Sequence, residues 1–553
     1  MRKYLFIILA FAFLLRFVSL DSYPSGFSAD EANQGYSAYS ILRTGRDEWG
    51  ELLPITPRSY GDYRAPLYTY LTIPSIAIFG LNEFAVRLPN AVVGTAAVAT
   101  IFFLVKELFK NSKLALLSAI LLAVSPWHIM LSRGAFETNL PTFLYPAGVL
   151  FFLMGLTKRN YMFISAMFFS LSLFAYYSSR MLFPLLAIII YFCFVFGRRK
   201  LFDFVKRQSV AFTIVLFFSL VALYTMFAGS ATRMTDVSIL NANTWRSVSE
   251  SRYDAVILGL NDNISRLFDN KINKVSELFV KNYLSYFSTT FLFIEGAGES
   301  AYGLVPGIGL QYLFDVVFLI FAFFFIVRQK LYKDKALLFV LLMILIAPIP
   351  AALSTGIGRA ANRASLMMPW IQILIGFGLF NLLKTIKERY FYFAIAGYYI
   401  LALAFFLNRY FYHNPIENSR SMSYGWKEAS RYLELVEPTF DQIIVSNEFS
   451  EPQMFVAFYR AMNPTIVQAA SVNWLAYEQE GLKFVDQLGT YGLGKYLFTG
   501  INYKANSKRP NTLLVGRPVD FPKTAVPMYV VNYPDGEPSM YFVASEEAYA
   551  NIQ

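Results

Sequence analysis

MRKYLFIILAFAFLLRFVSL, residues 1–20, runs directly into DSYPSGFSADEANQGYSAYS, residues 21–40. The first block is apolar over residues 4–20 behind Arg2 and Lys3. No clean small-residue cleavage site follows it, so it reads as a retained first membrane span. The second block opens a polar stretch, residues 21–66, that carries both charge signs together with Trp49, Tyr60 and Tyr63. Within it stand two adjacent carboxylates, Asp30 and Glu31. A chain this apolar has few reasons to place such a pair just beyond its first span, and the pair is read as a candidate catalytic corner.

Ser28-Ala29-Asp30-Glu31 has the S-x-x-E form of a capping box, with Ser28 as N-cap and Glu31 at N3. Ala32, Tyr36, Tyr39 and Leu42 follow at spacings of three and four, which predicts a helix that stops at Gly45. Asp30, Asn33, Gln34 and Ser37 fall on its polar side. The capping box by itself accounts for Glu31, which either starts the helix or assists in chemistry. It accounts less well for Asp30, the better candidate for a catalytic acid or base.

The composition, 56% hydrophobic and 15% charged, sets the class. Soluble domains carry about 25% charged residues, and repeated long apolar runs predict an α-helical polytopic membrane protein. The net charge of +11 does not point to nucleic acid, because the Lys and Arg fall in short clusters between apolar runs. A single cysteine, Cys193, excludes a disulfide framework, and His128 and His413 are too few for a histidine zinc site.

Positive-inside bias sets the topology. Residues 65–79 are apolar but short and broken by Pro66 and Pro74, so they read as an interfacial helix on the outer face rather than a span. Residues 88–105 then lead to Lys106, Lys110 and Lys113 inside, and residues 114–131 return outward. That places Glu137 on the side of Asp30. Alternation through residues 141–156, 161–176, 181–196, 210–227, 303–327, 337–353, 366–383 and 390–407 gives about eleven spans. The expected organisation is a membrane module over residues 1–407. It holds a catalytic outer loop with interfacial helices at 21–87 and a second long outer loop at 229–302. A small α/β domain follows at 408–553. The N-terminus is expected in the cytoplasm and the C-terminal domain outside the cytoplasmic (plasma) membrane. Strands are expected over 442–445, 495–498, 512–515 and 528–531, with helices over 426–435 and 452–462. Tyr491-Gly492-Leu493-Gly494 is a lone G-x-G and carries no phosphate-binding argument.

Polar residues collect at the outer ends of the spans: Arg64, Arg87, Arg133, Glu137, Tyr176, Arg180, Arg359 and Arg363. Any one arginine at a span end is explained by snorkelling to headgroups. As a group on the outer side they run against the positive-inside bias and favour an anion site. An acid, outward arginines and apolar walls at a membrane surface suit a lipid-linked phosphate, with membrane lipids around it.

Three stretches carry a family resemblance. They are Tyr63-Arg64-Ala65-Pro66-Leu67-Tyr68-Thr69-Tyr70, Phe79-Gly80-Leu81-Asn82-Glu83-Phe84-Ala85-Val86-Arg87-Leu88-Pro89, and Ser132-Arg133 to Glu137, all after the acidic pair. With Ala347-Pro348-Ile349-Pro350-Ala351-Ala352-Leu353 and the later Arg359 and Arg363, the chain resembles the integral-membrane glycosyltransferases of the C superfamily, family 39 and its relatives. These include the protein O-mannosyltransferases and the lipid A aminoarabinose transferases. The resemblance covers residues 1–407. It implies a polyprenyl-phosphate-linked sugar donor, a lipid, glycan or protein acceptor, and inverting transfer on the outer face. It makes Asp30 the general base, Glu31 its assistant or a helix anchor, Arg87 an organiser of the outer loop, and Glu137 a supporting acid. It leaves room for a divalent cation, Mg²⁺ or Mn²⁺, on Asp30, Glu31 and Glu137. The competing readings are a transporter or flippase of lipid-linked sugars and a non-catalytic envelope assembly protein. A transporter would carry charges near the bilayer midplane and repeated halves, whereas here the charges sit at span ends.

Overall fold

The computed structural model describes residues 1–197, 201–228, 238–298, 302–355, 359–386 and 388–552. The membrane half is helical. Among the described residues six helices are long and apolar enough to cross a bilayer: Glu83–Phe109, Tyr177–Val195, Ser209–Met226, Lys335–Ala352, Ser365–Thr385 and Arg389–Asn418. The pair Ser112–Val124 and Pro126–Ser132, bent by 58°, makes a seventh if taken as one broken span. The bend falls where Pro126 supplies no backbone N–H.

The helix count by length is therefore six or seven rather than about eleven. Four further apolar runs end up as shorter helices: Arg2–Phe17 and Leu140–Gly155 of 16 residues, Asn160–Ser172 of 13 and Asp315–Arg328 of 14. For Asp315–Arg328 the reason is that the apolar run outlasts its helix. Residues 303–314 count toward hydropathy, but they hold Gly303, Pro306, Gly307 and Gly309, and the helix starts only at Asp315.

Between the first helix and Glu83–Phe109 lies the loop expected on the outer face, called the outer loop below. Its main helix, Ala29–Thr44, starts at Ser28 with both halves of the capping box formed and ends at Gly45 in the left-handed conformation. Leu67–Phe79 is a separate 13-residue helix between Pro66 and Gly80. The long segment after residue 228 contains the helices Ala242–Ile257, Asp262–Phe268 and Lys271–Ser285; residues 229–237 and 299–301 of the expected second outer loop lie outside the described residues.

The helix opened at Arg389 passes residue 407 without a break and continues through a wider turn, Arg409–His413, into Asn414–Asn418. Beyond it a six-stranded sheet forms in the order β2-β3-β1-β4-β6-β5. Its strands are β1 Gln442–Ser446, β2 Thr490–Leu493, β3 Tyr496–Thr499, β4 Thr512–Gly516, β5 Tyr529–Asn532 and β6 Pro538–Ala544. β1 runs parallel to β3 and β4, and the other pairs are antiparallel. Tyr491-Gly492-Leu493-Gly494 proves to be β2 and the hairpin turn after it, with Gly494 at φ +60°.

Alternate strand residues serve different neighbours, as the pleat requires. Ile444, Leu514 and Val543 pack with Phe521 on one face. Ile443, Val445, Leu513, Val515 and Phe542 face a larger core that also contains Phe27, Ala32, Tyr36, Tyr60, Tyr68 and Val86 of the membrane half. The C-terminal domain is thus joined to the outer loop through shared apolar packing. Gly35 lets the helices approach: a Cβ there would strike Phe458 and Val86.

Candidate active site

Adjacent positions on the Ala29–Thr44 helix have opposite surroundings. Glu31 is fully buried, as is Arg87. Arg87 Nε donates to Glu31 Oε1 at 2.8 Å and Nη2 to Oε2 at 3.2 Å. The Ala135 N–H donates to Oε1 and the Ser28 N–H to Oε2. Arg87 also donates to the carbonyls of Leu20 and Gly26. This pair ties three segments together, the turn after the first helix, the outer-loop helix and the turn at Ala135. It presents nothing to a substrate.

Asp30 points the other way. Its side chain is 50% exposed, while its partner Arg64 is 5% exposed. Arg64 Nη2 donates to Asp30 Oδ1 at 2.7 Å and to Ser59 Oγ at 2.8 Å, and Nη1 donates to the Asp30 carbonyl at 3.0 Å. The carboxylate is held in place by a buried guanidinium and remains open to solvent. One turn along the same helix, Gln34 Nε2 donates to Glu137 Oε2 at 3.1 Å and to the Ala135 carbonyl. Asp30, Arg64 and Glu137 are thereby gathered at one corner.

The remaining arginines divide. Arg133 is buried and donates to the carbonyls of Leu15, Val18, Ser19 and Tyr23, and to the Tyr410 hydroxyl. Leu15 and Val18 stand at the end of the first helix, whose last turn lacks intrahelical donors, and Ser19 and Tyr23 lie in the turn after it. Arg133 is consumed by the fold. Arg359 pairs with Glu295, and Arg363 donates to Ser354 Oγ and the Thr355 carbonyl. Their loop borders the Glu137 turn, since Ser365 Oγ donates to the Thr138 carbonyl. Arg180 differs from all of these. It is buried, its Nε donates to the Leu173 carbonyl at 2.9 Å, and both terminal nitrogens are buried without a hydrogen-bond partner. The guanidinium lies over the Tyr177 ring, 4.7 Å from its centroid, and half-buried Tyr176 is the residue before that helix. The neighbouring Phe174 carbonyl accepts from the Leu67 N–H, three residues after Arg64, so the Arg180 turn abuts the Asp30 corner.

A cation on Asp30, Glu31 and Glu137 does not fit this donor set. Both oxygens of Glu31 are engaged, and the charges facing Asp30 and Glu31 are already supplied by Arg64 and Arg87. Among the described residues no three His, Cys, Asp or Glu side chains are grouped to hold a metal.

Four carboxyls near this corner were not singled out from the sequence. Glu48 is fully buried, accepts from Asn33 Nδ2 and Ser37 Oγ at 2.8 Å, and is pushed up by burial and by Asp47. Asp47 is pushed up by burial too. Asn33 and Ser37, read as the polar face of the helix, are in fact the donors to Glu48. In the C-terminal domain, burial and then Asp30 push Glu451 up to about 8, and burial raises Asp486. An adjacent Asp47-Glu48 in the same polar stretch was the available signal for the first two. Nothing local in the sequence marks Glu451, which reaches the site only through domain docking.

Residues 63–224 match the family model of dolichyl-phosphate-mannose-protein mannosyltransferase. No curated protein matches the chain in sequence. Among solved structures, ArnT from Cupriavidus metallidurans bound to undecaprenyl phosphate is similar at a TM-score of 0.51 and 13% identity, covering 99% of this chain and 99% of that one. The oligosaccharyltransferase of Archaeoglobus fulgidus in complex with Zn and sulfate is 13% identical at a TM-score of 0.47, covering 98% of this chain and 73% of that one. The family match begins at Tyr63, the first residue of the Tyr63–Tyr70 motif, and takes in Arg64, Arg87, Arg133, Glu137 and Arg180. Over residues 63–224 the chain is thus similar to the dolichyl-phosphate-mannose-protein mannosyltransferase family, and along its whole length it shares the fold of the undecaprenyl-phosphate-bound ArnT.

Proposed function

We propose that the protein transfers a sugar from a polyprenyl-phosphate-linked donor to an acceptor hydroxyl on the outer face of the cytoplasmic membrane, with Asp30 as general base. The observation that carries this reading is the split between the acids: Asp30 is held by buried Arg64 and half exposed, while Glu31 is sealed in the fold. In the reaction the acceptor oxygen attacks the anomeric carbon on the face opposite the phosphate. Its proton passes to Asp30, the C–O bond to phosphate breaks, and polyprenyl phosphate leaves with the electron pair. Attack from the opposite face inverts the anomeric centre. A phosphate is a stable leaving group and needs no matching general acid, unlike the alkoxide of a glycosidase reaction.

Arg180 supports the donor assignment. A buried guanidinium with two unpartnered nitrogens is a site for a doubly hydrogen-bonded oxyanion. On the same helix Phe183, Ala187 and Tyr191 follow at spacings of three and four and line an apolar cavity of ≈ 370 Å³ with Phe152, Phe169 and Val215. A lipid phosphate could place its head at Arg180 and its chain along that wall. The test uses proteoliposomes and undecaprenyl-phosphate-linked mannose, glucose or 4-aminoarabinose, each labelled in the sugar, with native membrane extract as acceptor. Label moving from lipid to a new product supports transfer. Label crossing the bilayer still attached to its lipid would support a flippase, and no change with any donor would contradict the reading.

A further inference from the structure

The C-terminal domain is fastened to the outer loop next to Asp30. The Val485 N–H donates to the Tyr60 carbonyl at 3.0 Å, and Gly61 lies so close that a Cβ would strike Phe484 and the Lys483 carbonyl. This contact brings Asp486 to the corner. Asp486 Oδ2 accepts from the Glu451 N–H at 3.3 Å, and Glu451 begins the helix Pro452–Tyr459. Glu451 Oε2 is buried and has no hydrogen-bond partner. The charged groups that face Glu451 are Asp30, Arg64, Asp486 and Asp62.

The surroundings are unsatisfied as well. Gln453 is fully buried with Nε2 unpartnered, although its Oε1 accepts from the Tyr491 hydroxyl at 2.7 Å. Tyr60 is fully buried and its hydroxyl is unpartnered, with Glu451 and Glu48 among the charges near it. Buried polar groups are almost always hydrogen-bonded, so this concentration of unpaired atoms beside a half-open carboxylate marks a place prepared for a polar ligand.

We propose that the C-terminal domain completes the active site and that Glu451 binds substrate, its free Oε2 pairing with a hydroxyl of the polyhydroxylated ligand held at Asp30. This rests on the reading of Asp30 as the base for a hydroxyl acceptor. Burial, with Asp30 nearby, pushes Glu451 up to about 8. At neutral pH it is a carboxylic acid and donates its O–H, as a carboxylate cannot. Above that pH it ionises and loses the donor, and its charge adds to those of Asp30, Asp62 and Asp486. The hydroxyl belongs either to the transferred sugar or to the acceptor, and the two leave different kinetic marks.

The test uses full-length protein in proteoliposomes with the three labelled donors above. Glu451→Ala is expected to raise one KM roughly 10-fold with a smaller change in kcat, the worth of one hydrogen bond. A rise in the donor KM assigns the hydroxyl to the sugar, and a rise in the acceptor KM assigns it to the acceptor. Glu451→Gln, which keeps a neutral donor, should recover most of that loss and abolish the fall in activity through about pH 8 expected of the native protein. A second readout needs no turnover: dicyclohexylcarbodiimide reacts with protonated buried carboxyls and should modify Glu451, with whichever substrate carries the paired hydroxyl, donor or acceptor, suppressing the modification. Both KM values unchanged in Glu451→Ala, or an alkaline fall retained in Glu451→Gln, would overturn the proposal. So would carbodiimide labelling that neither the donor nor the acceptor extract suppresses. Absence of transfer by the native protein with every donor would instead overturn the proposed function.

Discussion

Two acid–arginine pairs sit one residue apart at the head of the same helix, and their settings are opposite. Glu31–Arg87 is sealed, with both side chains at 0% exposure, and each spare atom is matched by backbone from other segments. Asp30–Arg64 is sealed on the arginine side only. A helix turns about 100° per residue, so consecutive side chains must face different surroundings, and here one faces the protein and the other the solvent. The first pair holds the outer loop to the spans. The second leaves a fixed carboxylate where a ligand can reach it.

The sealed pair should show the largest effect on folding. Removing one partner of a buried ion pair costs about 3–5 kcal/mol because the other charge is left buried and unmatched. Glu31→Gln keeps part of the capping box but strands Arg87, so thermal unfolding in detergent should fall sharply. Arg87→Met should fall equally, and Glu31→Gln combined with Arg87→Met should fall less than the sum of the two. Native thermal stability in Glu31→Gln would break the comparison.

This expectation departs from what the sequence suggested, and the departure shows where sequence reading stops. The capping box was legible because its partners lie three residues apart, and Ser28, Glu31 and Gly45 act as the pattern implies. Taken alone it makes Glu31→Gln a mild change. Arg87 lies 56 residues away, and no local pattern ties it to Glu31 rather than to a phosphate. Arg133 is a similar case: the sequence shows an arginine at a span end, and only the packing shows that it donates to carbonyls at the end of the first helix. Strands with β-branched runs, such as Gln442–Ser446 and Thr512–Gly516, were legible. β2 was hidden by Gly492, and β6 begins at Pro538 after the turn residues Asp535-Gly536-Glu537. The role of Glu451 depends on how two domains meet, which a single chain of letters does not express.

Arg180 extends the comparison to a third arginine, one without an acid. Arg180→Ala should weaken binding of undecaprenyl phosphate by roughly 10- to 100-fold, the range expected for charge-assisted hydrogen bonds. Arg180→Lys should recover only part of that, because an ammonium cannot offer the paired planar donors. Competition against labelled donor checks this, and native affinity in both variants would return Arg180 to a packing role over Tyr177.

The smallest effect is on pH-dependent stability. Glu451 is raised from 4.5 to about 8 in the folded protein. A carboxyl raised on folding favours the native state most below its unfolded value and loses that contribution as pH rises through its folded value. Melting temperature should therefore drift down between about pH 4.5 and 8, and Glu451→Gln should flatten part of the drift. Glu48, Asp47 and Asp486 are raised in the same direction and share the remainder, so Glu451→Gln with Glu48→Gln should be flatter still. A melting temperature that rises across that window in the native protein would contradict the assignment.

The comparison between the two acids is tested most directly by measuring sugar transfer and thermal unfolding together in Asp30→Asn. A positioned general base is worth about 10²–10⁴-fold in rate. The account predicts a loss of transfer of that size with unfolding close to native, since Asp30 is half exposed and Asn keeps an Oδ1 acceptor for Arg64, which also retains the residue-30 carbonyl and Ser59 Oγ. Transfer within a few-fold of native in stably folded Asp30→Asn would contradict it, and the base would have to be sought elsewhere in the corner.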